Sequence, residues 1–156
     1  MTENHLAGEF NMLRIRLFES NAFTKYSKFS NYTRNGEHNS TTWLIGHIGY
    51  IADIMILKAW EDQGKHNLII DGNFGFSSNG KTNIQMPFPQ VYNQVLAVFN
   101  NVRIRLADEN CEKFLSEKSS YPNNCTSDKH LVIHAIQDIA YHLGQLGIII
   151  SGKTLL

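Results

Sequence analysis

The chain has only two cysteines and three prolines, no surplus of either charge, and no long apolar run. Cys111 and Cys125 lack metal-ligand spacing, and in a reducing compartment such a pair stays as thiols more often than it bridges, so a disulfide framework is not expected. Neither cysteine has a neighbouring feature that would activate it as a nucleophile. Lys plus Arg and Asp plus Glu both number 14. That balance leaves no electrostatic footprint for nucleic acid or an anionic membrane surface. The apolar stretch Leu146 to Ile150 is far short of the ~18 residues that a membrane span requires and reads as helix core, so no membrane association is expected. Met1-Thr2-Glu3-Asn4-His5 has no basic stretch leading into an apolar one, which argues against a secretory signal and for a soluble protein of the cytoplasm. On that expectation the sequon matches at Asn31, Asn39 and Asn124 are chance in an Asn-rich chain. A glycine-rich phosphate loop and a Gly-x-Ser-x-Gly elbow are also missing, which removes two common routes to phosphoryl and acyl transfer.

What remains is helical periodicity and histidine. A length of 156 residues suits a single domain, 1–156, with a core of useful size. Leu6, Phe10, Leu13 and Leu17 recur at helical intervals in a first stretch from about Asn4 to Phe29. Turn-prone residues from Asn31 to Asn39 interrupt it. Ser40 or Thr41 can then cap a second helix, whose face carries Trp43, His47, Tyr50, Ile51 and Ile54. From Gln63 to Pro89 glycine and asparagine dominate, predicting a long connection that serves either as a lid or as a crossover between helices, pinned by Phe74, Phe76 and Phe88; Leu68-Ile69-Ile70 could pair briefly within it. Pro89 suits the first turn of a third helix with the stripe Val91, Val95, Val98, Val102 and Leu106. Pro122 breaks the next connection, and a fourth helix runs from a cap at Thr126 or Ser127 to about Ser151, ended by Gly152. The expected fold is all-α: a four-helix bundle with a long crossover loop between helices two and three.

Seven histidines become informative where this spacing groups them. Asp138 and His142 lie four apart on the fourth helix, close enough for both to lean onto one ion. An inward His47 on a neighbouring helix would complete two imidazoles and a carboxylate, a facial ligand set with positions left open. Each residue alone reads more simply as a core histidine satisfied by a hydrogen bond, or as a local Asp–His contact. Together they favour a shared partner, because burying three ionisable groups without one costs several kcal/mol. His134, one turn before Asp138, reads as a supporting or surface residue, and Gln145, one turn after His142, as one that orients a ligand. Tyr50 and Tyr141 are explained by packing.

The pairing of Asn39-Ser40-Thr41-Thr42-Trp43-Leu44-Ile45-Gly46-His47 with Ala140-Tyr141-His142-Leu143-Gly144-Gln145-Leu146 resembles the DinB-like (DinB/YfiT-type) superfamily of metalloenzymes, in an order and separation that cover nearly the whole chain. The resemblance implies a bundle that is often a homodimer. It also implies a divalent metal, zinc, nickel or iron, held by three histidines: one in the Trp-x-x-Gly-His motif and two that stand four apart on the last helix. His47 and His142 occupy the outer two positions, and Asp138 stands where the family has its middle histidine. A carboxylate ligates the same ions, so His47, Asp138 and His142 are the expected metal ligands; the substitution equally fits a member that has lost the metal. The resemblance further implies a small-molecule or thiol substrate in a transferase, hydrolase or isomerase reaction. The alternatives are a non-catalytic bundle that binds an apolar ligand or dimerises, and, by ligand type alone, a two-His, one-carboxylate iron oxygenase.

Overall fold

The computed structural model describes residues 4–64, 71–76, 78–81, 86–120 and 126–154. Over these residues the chain is helical, and none of its described helices is long and apolar enough to cross a membrane. Its elements are α1 (His5–Phe18), α2 (Ala22–Ser27), α3 (Thr41–Ile51), α4 (Asp71–Phe74), α5 (Phe88–Leu106), α6 (Cys111–Glu117) and α7 (Asp128–Thr154). α3 runs on through a π turn, Ala52–Ile56, and a 3-10 turn, Leu57–Trp60. α1 and α3 each pack against both α5 and α7, while α2 rests on α1 and α5, α4 on α3, and α6 on α7.

The apolar stripes seen in the sequence account for this packing. Leu6, Phe10, Leu13 and Leu17 of α1 are all buried, as are Val91, Val95, Val98, Val102 and Leu106 of α5. Aromatic rings join the two helices, with Phe10 and Phe99 4.9 Å apart and Phe18 and Tyr92 5.1 Å apart in an edge-on arrangement.

Several boundaries differ from the sequence expectation. The first stretch is two helices, because the chain turns at Glu19, Ser20 and Asn21. The Ala22 N–H donates to the Glu19 carbonyl at 3.0 Å to close the turn, and the buried Tyr92 hydroxyl donates to the Leu17 carbonyl at the break. After Leu106 the chain forms the additional short helix α6. α7 continues through Gly152 to Thr154; a glycine costs about 1 kcal/mol relative to alanine inside a helix without forcing an end. The connection between α3 and α5 holds α4, a turn of helix that periodicity did not suggest. Leu68-Ile69-Ile70, Pro122 and Cys125 lie outside the described residues.

α3 departs most from the amphipathic expectation: every residue from Thr41 to Ile51 is buried. Its outer side is covered by the connection that follows it. Phe74 is fully buried, and its ring lies where a β-carbon on Gly46 would come within 2.4 Å. Gly80 approaches Trp43 so closely that a β-carbon there would meet the Trp43 β-carbon at 2.1 Å. Only glycine permits either contact. Polar bonds fasten the same segment: Ser40 N–H donates to the Gly80 carbonyl (2.9 Å), Gly80 N–H to Asn39 Oδ1 (2.8 Å) and Trp43 Nε1–H to Ser78 Oγ (3.1 Å). Ser40 also caps α3 by accepting from Trp43 N–H at 3.1 Å.

Candidate functional site

His47 sits midway along α3, where its ring is 5 % exposed. The ring stacks on Trp43, with centroids 4.5 Å apart and planes 13° from parallel, and meets the edge of Phe76 at 5.7 Å. Tyr50, one turn further on, lies nearly parallel to it at 6.2 Å. His47 Nδ1 bonds to the Phe74 carbonyl at 2.6 Å. A carbonyl oxygen only accepts, so Nδ1 carries the proton and the neutral ring presents its lone pair at Nε2. Burial pushes the His47 pKa below its usual value, and nearby His142 adds to that; the Phe74 carbonyl and Asp138 oppose it. The ring is therefore neutral at pH 7.

The second imidazole comes from α7. His142 is half-buried at the margin of the buried stripe made by Ala135, Ile139, Leu143 and Leu146. Its ring centre is 4.8 Å from that of His47, with the planes 85° apart. His142 Nδ1 bonds to Gln145 Oε1 at 2.7 Å, which fixes the proton on Nδ1 and leaves Nε2 unprotonated in the neutral ring. Both members of the pair are thus oriented through Nδ1 by an oxygen acceptor, the arrangement that usually supports histidines ligating through the other nitrogen. Gln145 takes the orienting role its spacing suggested. Tyr141 is 64 % exposed, so packing does not explain it; its ring lies 5.2 Å from His142.

Asp138 is half-buried on α7, near enough to His47 to favour its protonated form. Its carboxylate faces the exposed His134, with Nε2 3.9 Å from Oδ2. Among the described residues no group of three or more His, Cys, Asp or Glu side chains is disposed to hold one metal ion. Two of the three expected ligands are therefore in ring contact, and the carboxylate stands beside them, turned to a different histidine.

Two partners of the site could not be assigned to it from the sequence. The Phe74 carbonyl belongs to a backbone group that no residue pattern marks, and Phe76, expected to pin the connection, does so against His47 and Tyr50, a contact that its spacing alone did not place at the site. Phe74 does pin that connection, as its apolar character suggested. Phe88 instead begins α5, where it packs against Phe23 and Tyr92.

No protein-family model, no curated protein and no solved structure matches the chain.

Proposed function

We propose that the chain is a divalent-metal-dependent enzyme of the DinB-like type, with His47 and His142 binding the ion through Nε2 and Asp138 as the third ligand. The observation that carries this reading is the shared support of the two rings: each gives its Nδ1 proton to an oxygen, at 2.6 Å and 2.7 Å, and keeps Nε2 as a donor atom. On this reading the fold is a four-helix bundle with a crossover between α3 and α5, the chain is one domain that forms a homodimer in the cytoplasm, and the substrate is a small molecule or thiol. A bound zinc, nickel or iron ion would lower the pKa of a water or thiol and so supply a nucleophile near neutral pH. The protein's own part is to hold the two imidazoles neutral, to fix their tautomers, and to wall His47 with Trp43 and Phe76. A change of side-chain rotamer away from His134 would be needed for Asp138 to join the two imidazoles, and its negative charge would favour a divalent cation.

A second reading has its own observation. Asp138 faces His134 at 3.9 Å, and a His47 satisfied by the Phe74 carbonyl needs no metal; this describes a non-catalytic binding or dimerisation module. Metal content decides between them. Protein purified without a histidine tag, stripped with chelator and offered zinc, nickel and iron(II) in turn, should retain close to one ion per chain by elemental mass spectrometry. His142→Ala and Asp138→Asn should each lose it. A parent chain that retains no ion under these conditions returns the assignment to the binding module.

A further inference from the structure

A cavity of about 280 Å3 opens between the segment leading into α3 and the C-terminal half of α7, lined by His38, Asn39, Leu44, Gln145, Ile148 and Ile149. We propose that it binds a small uncharged molecule with an apolar body and an amide-like polar group.

The wall chemistry defines the ligand. Leu44 is 2 % exposed and forms an apolar floor, Ile149 is half-buried, and Ile148 is left 76 % exposed at the rim. Among the described residues no lining side chain is an acid, a lysine or an arginine. A charged guest would lose part of its hydration against these apolar walls, where none of the described side chains carries a permanent charge to replace it.

The polar groups are complementary to an amide. Asn39 Oδ1 is taken by the Gly80 N–H at 2.8 Å, which leaves its NH2 as the group it offers. Gln145 Oε1 is taken by His142 Nδ1, and its NH2 makes only a long 3.4 Å contact with the Tyr141 hydroxyl. His38 Nδ1 bonds to the Asn39 carbonyl at 2.9 Å, leaving Nε2 as an acceptor in the neutral ring. Two amide donors and one acceptor match a guest that has a carbonyl next to an N–H. An apolar pocket with a few convergent polar groups is the usual form of a small-molecule site. At the ~30 Å3 share of a liquid water, the cavity of about 280 Å3 has room for on the order of ten non-hydrogen atoms, the size of a small aromatic amide.

Gln145 connects this cavity to the histidine pair. A guest bonded to its NH2 stands one side chain away from the His142 ring, so occupancy is felt at His142 whether or not a metal is bound. The cavity itself needs no metal and stands apart from the metal assignment.

Benzamide is a suitable probe, with benzoate and benzylamine as charged molecules of similar shape. In chelator-treated protein carrying 13C-labelled methyl groups, benzamide should shift the Leu44, Ile148 and Ile149 signals saturably, together with the His142 ring signals. Benzoate and benzylamine should bind at least about tenfold more weakly, because no described lining side chain carries a permanent charge to pair with them. Ile149→Trp fills the cavity and should abolish the response. Ile148→Glu alters only an exposed rim position, so it keeps the fold, and should weaken binding severalfold. Absence of a saturable benzamide shift, equal binding of the three probes, or undiminished binding to folded Ile149→Trp or to Ile148→Glu would overturn the proposal. Because the metal is removed throughout, these outcomes are independent of the ion-retention result.

Discussion

His47 and Cys111 are both titratable groups enclosed by apolar surface, and burial drives each towards its uncharged form. For His47 that means a lowered pKa, and for Cys111 a thiol pushed up to about 11, with Glu112 and Asp108 contributing after burial. The thiol is 2 % exposed, which makes it a packing residue and a poor nucleophile. A thiol whose folded pKa lies above its ordinary 9.0 ionises first in the unfolded chain. Its stabilising contribution is therefore whole below pH 9.0 and disappears as pH rises towards about 11. A shift of this kind corresponds to roughly 3 kcal/mol. In a Cys125→Ser background, denaturant melts should show stability falling over that window more steeply in the parent than in Cys111→Ala. Parallel curves would contradict the assignment. Alkylation of Cys111 by iodoacetamide should likewise be slow in the native protein and rise only with unfolding.

At the scale of elements, α3 and the connection that covers it act as one unit. Gly46 allows the Phe74 ring to lie against the helix, and the Phe74 carbonyl in turn holds His47. Elsewhere in a helix, alanine in place of glycine stabilises by about 0.5–1 kcal/mol. At Gly46 the new methyl would stand 2.4 Å from a fully buried ring, so overpacking dominates. Gly46→Ala should destabilise the protein by about 1–3 kcal/mol. Gly144→Ala supplies the contrast, since a β-carbon there meets nothing within 4 Å; that variant should gain about 0.5 kcal/mol or more. Thermal unfolding of the two variants should move in opposite directions. Equal, small shifts would mean that Phe74 does not rest on Gly46.

At the scale of the whole molecule, the end of the α3 extension is tied to α5. Asp62, whose side chain is 6 % exposed, accepts from Arg105 Nε at 2.8 Å and pairs also with its NH2 group. Asp53 in the π turn accepts from Gly64 N–H at 2.9 Å, closing the backbone just beyond. Arg105 is 40 % exposed, so solvent weakens the charge term, but its removal takes the cation from a carboxylate held out of water. Arg105→Ala should cost about 1.5–3 kcal/mol in denaturant melts. Adding Asp62→Asn should cost less than the two single losses summed. Strict additivity would show that the pair is not coupled.

Local pattern carried the elements that bury a single stripe: α1, α5 and α7 were legible because apolar residues at three- and four-residue steps must face one core. The same spacing placed His47 and His142 on inward faces and Gln145 beside His142. The break after Phe18, the separate helix α6 and the turn α4 were not legible, because each depends on short-range turns that compete closely with a continued helix. Nor did amphipathicity describe α3, whose second face is covered by residues more than twenty positions further along the chain. The sequence by itself determined that the protein is helical and which histidines could meet. Tertiary structure alone decided that the Phe74 carbonyl and Gln145 set the protons on those rings, and that Asp138 turns towards His134. Those outcomes rest on backbone carbonyls and side-chain rotamers, which take their positions only when the helices are packed together.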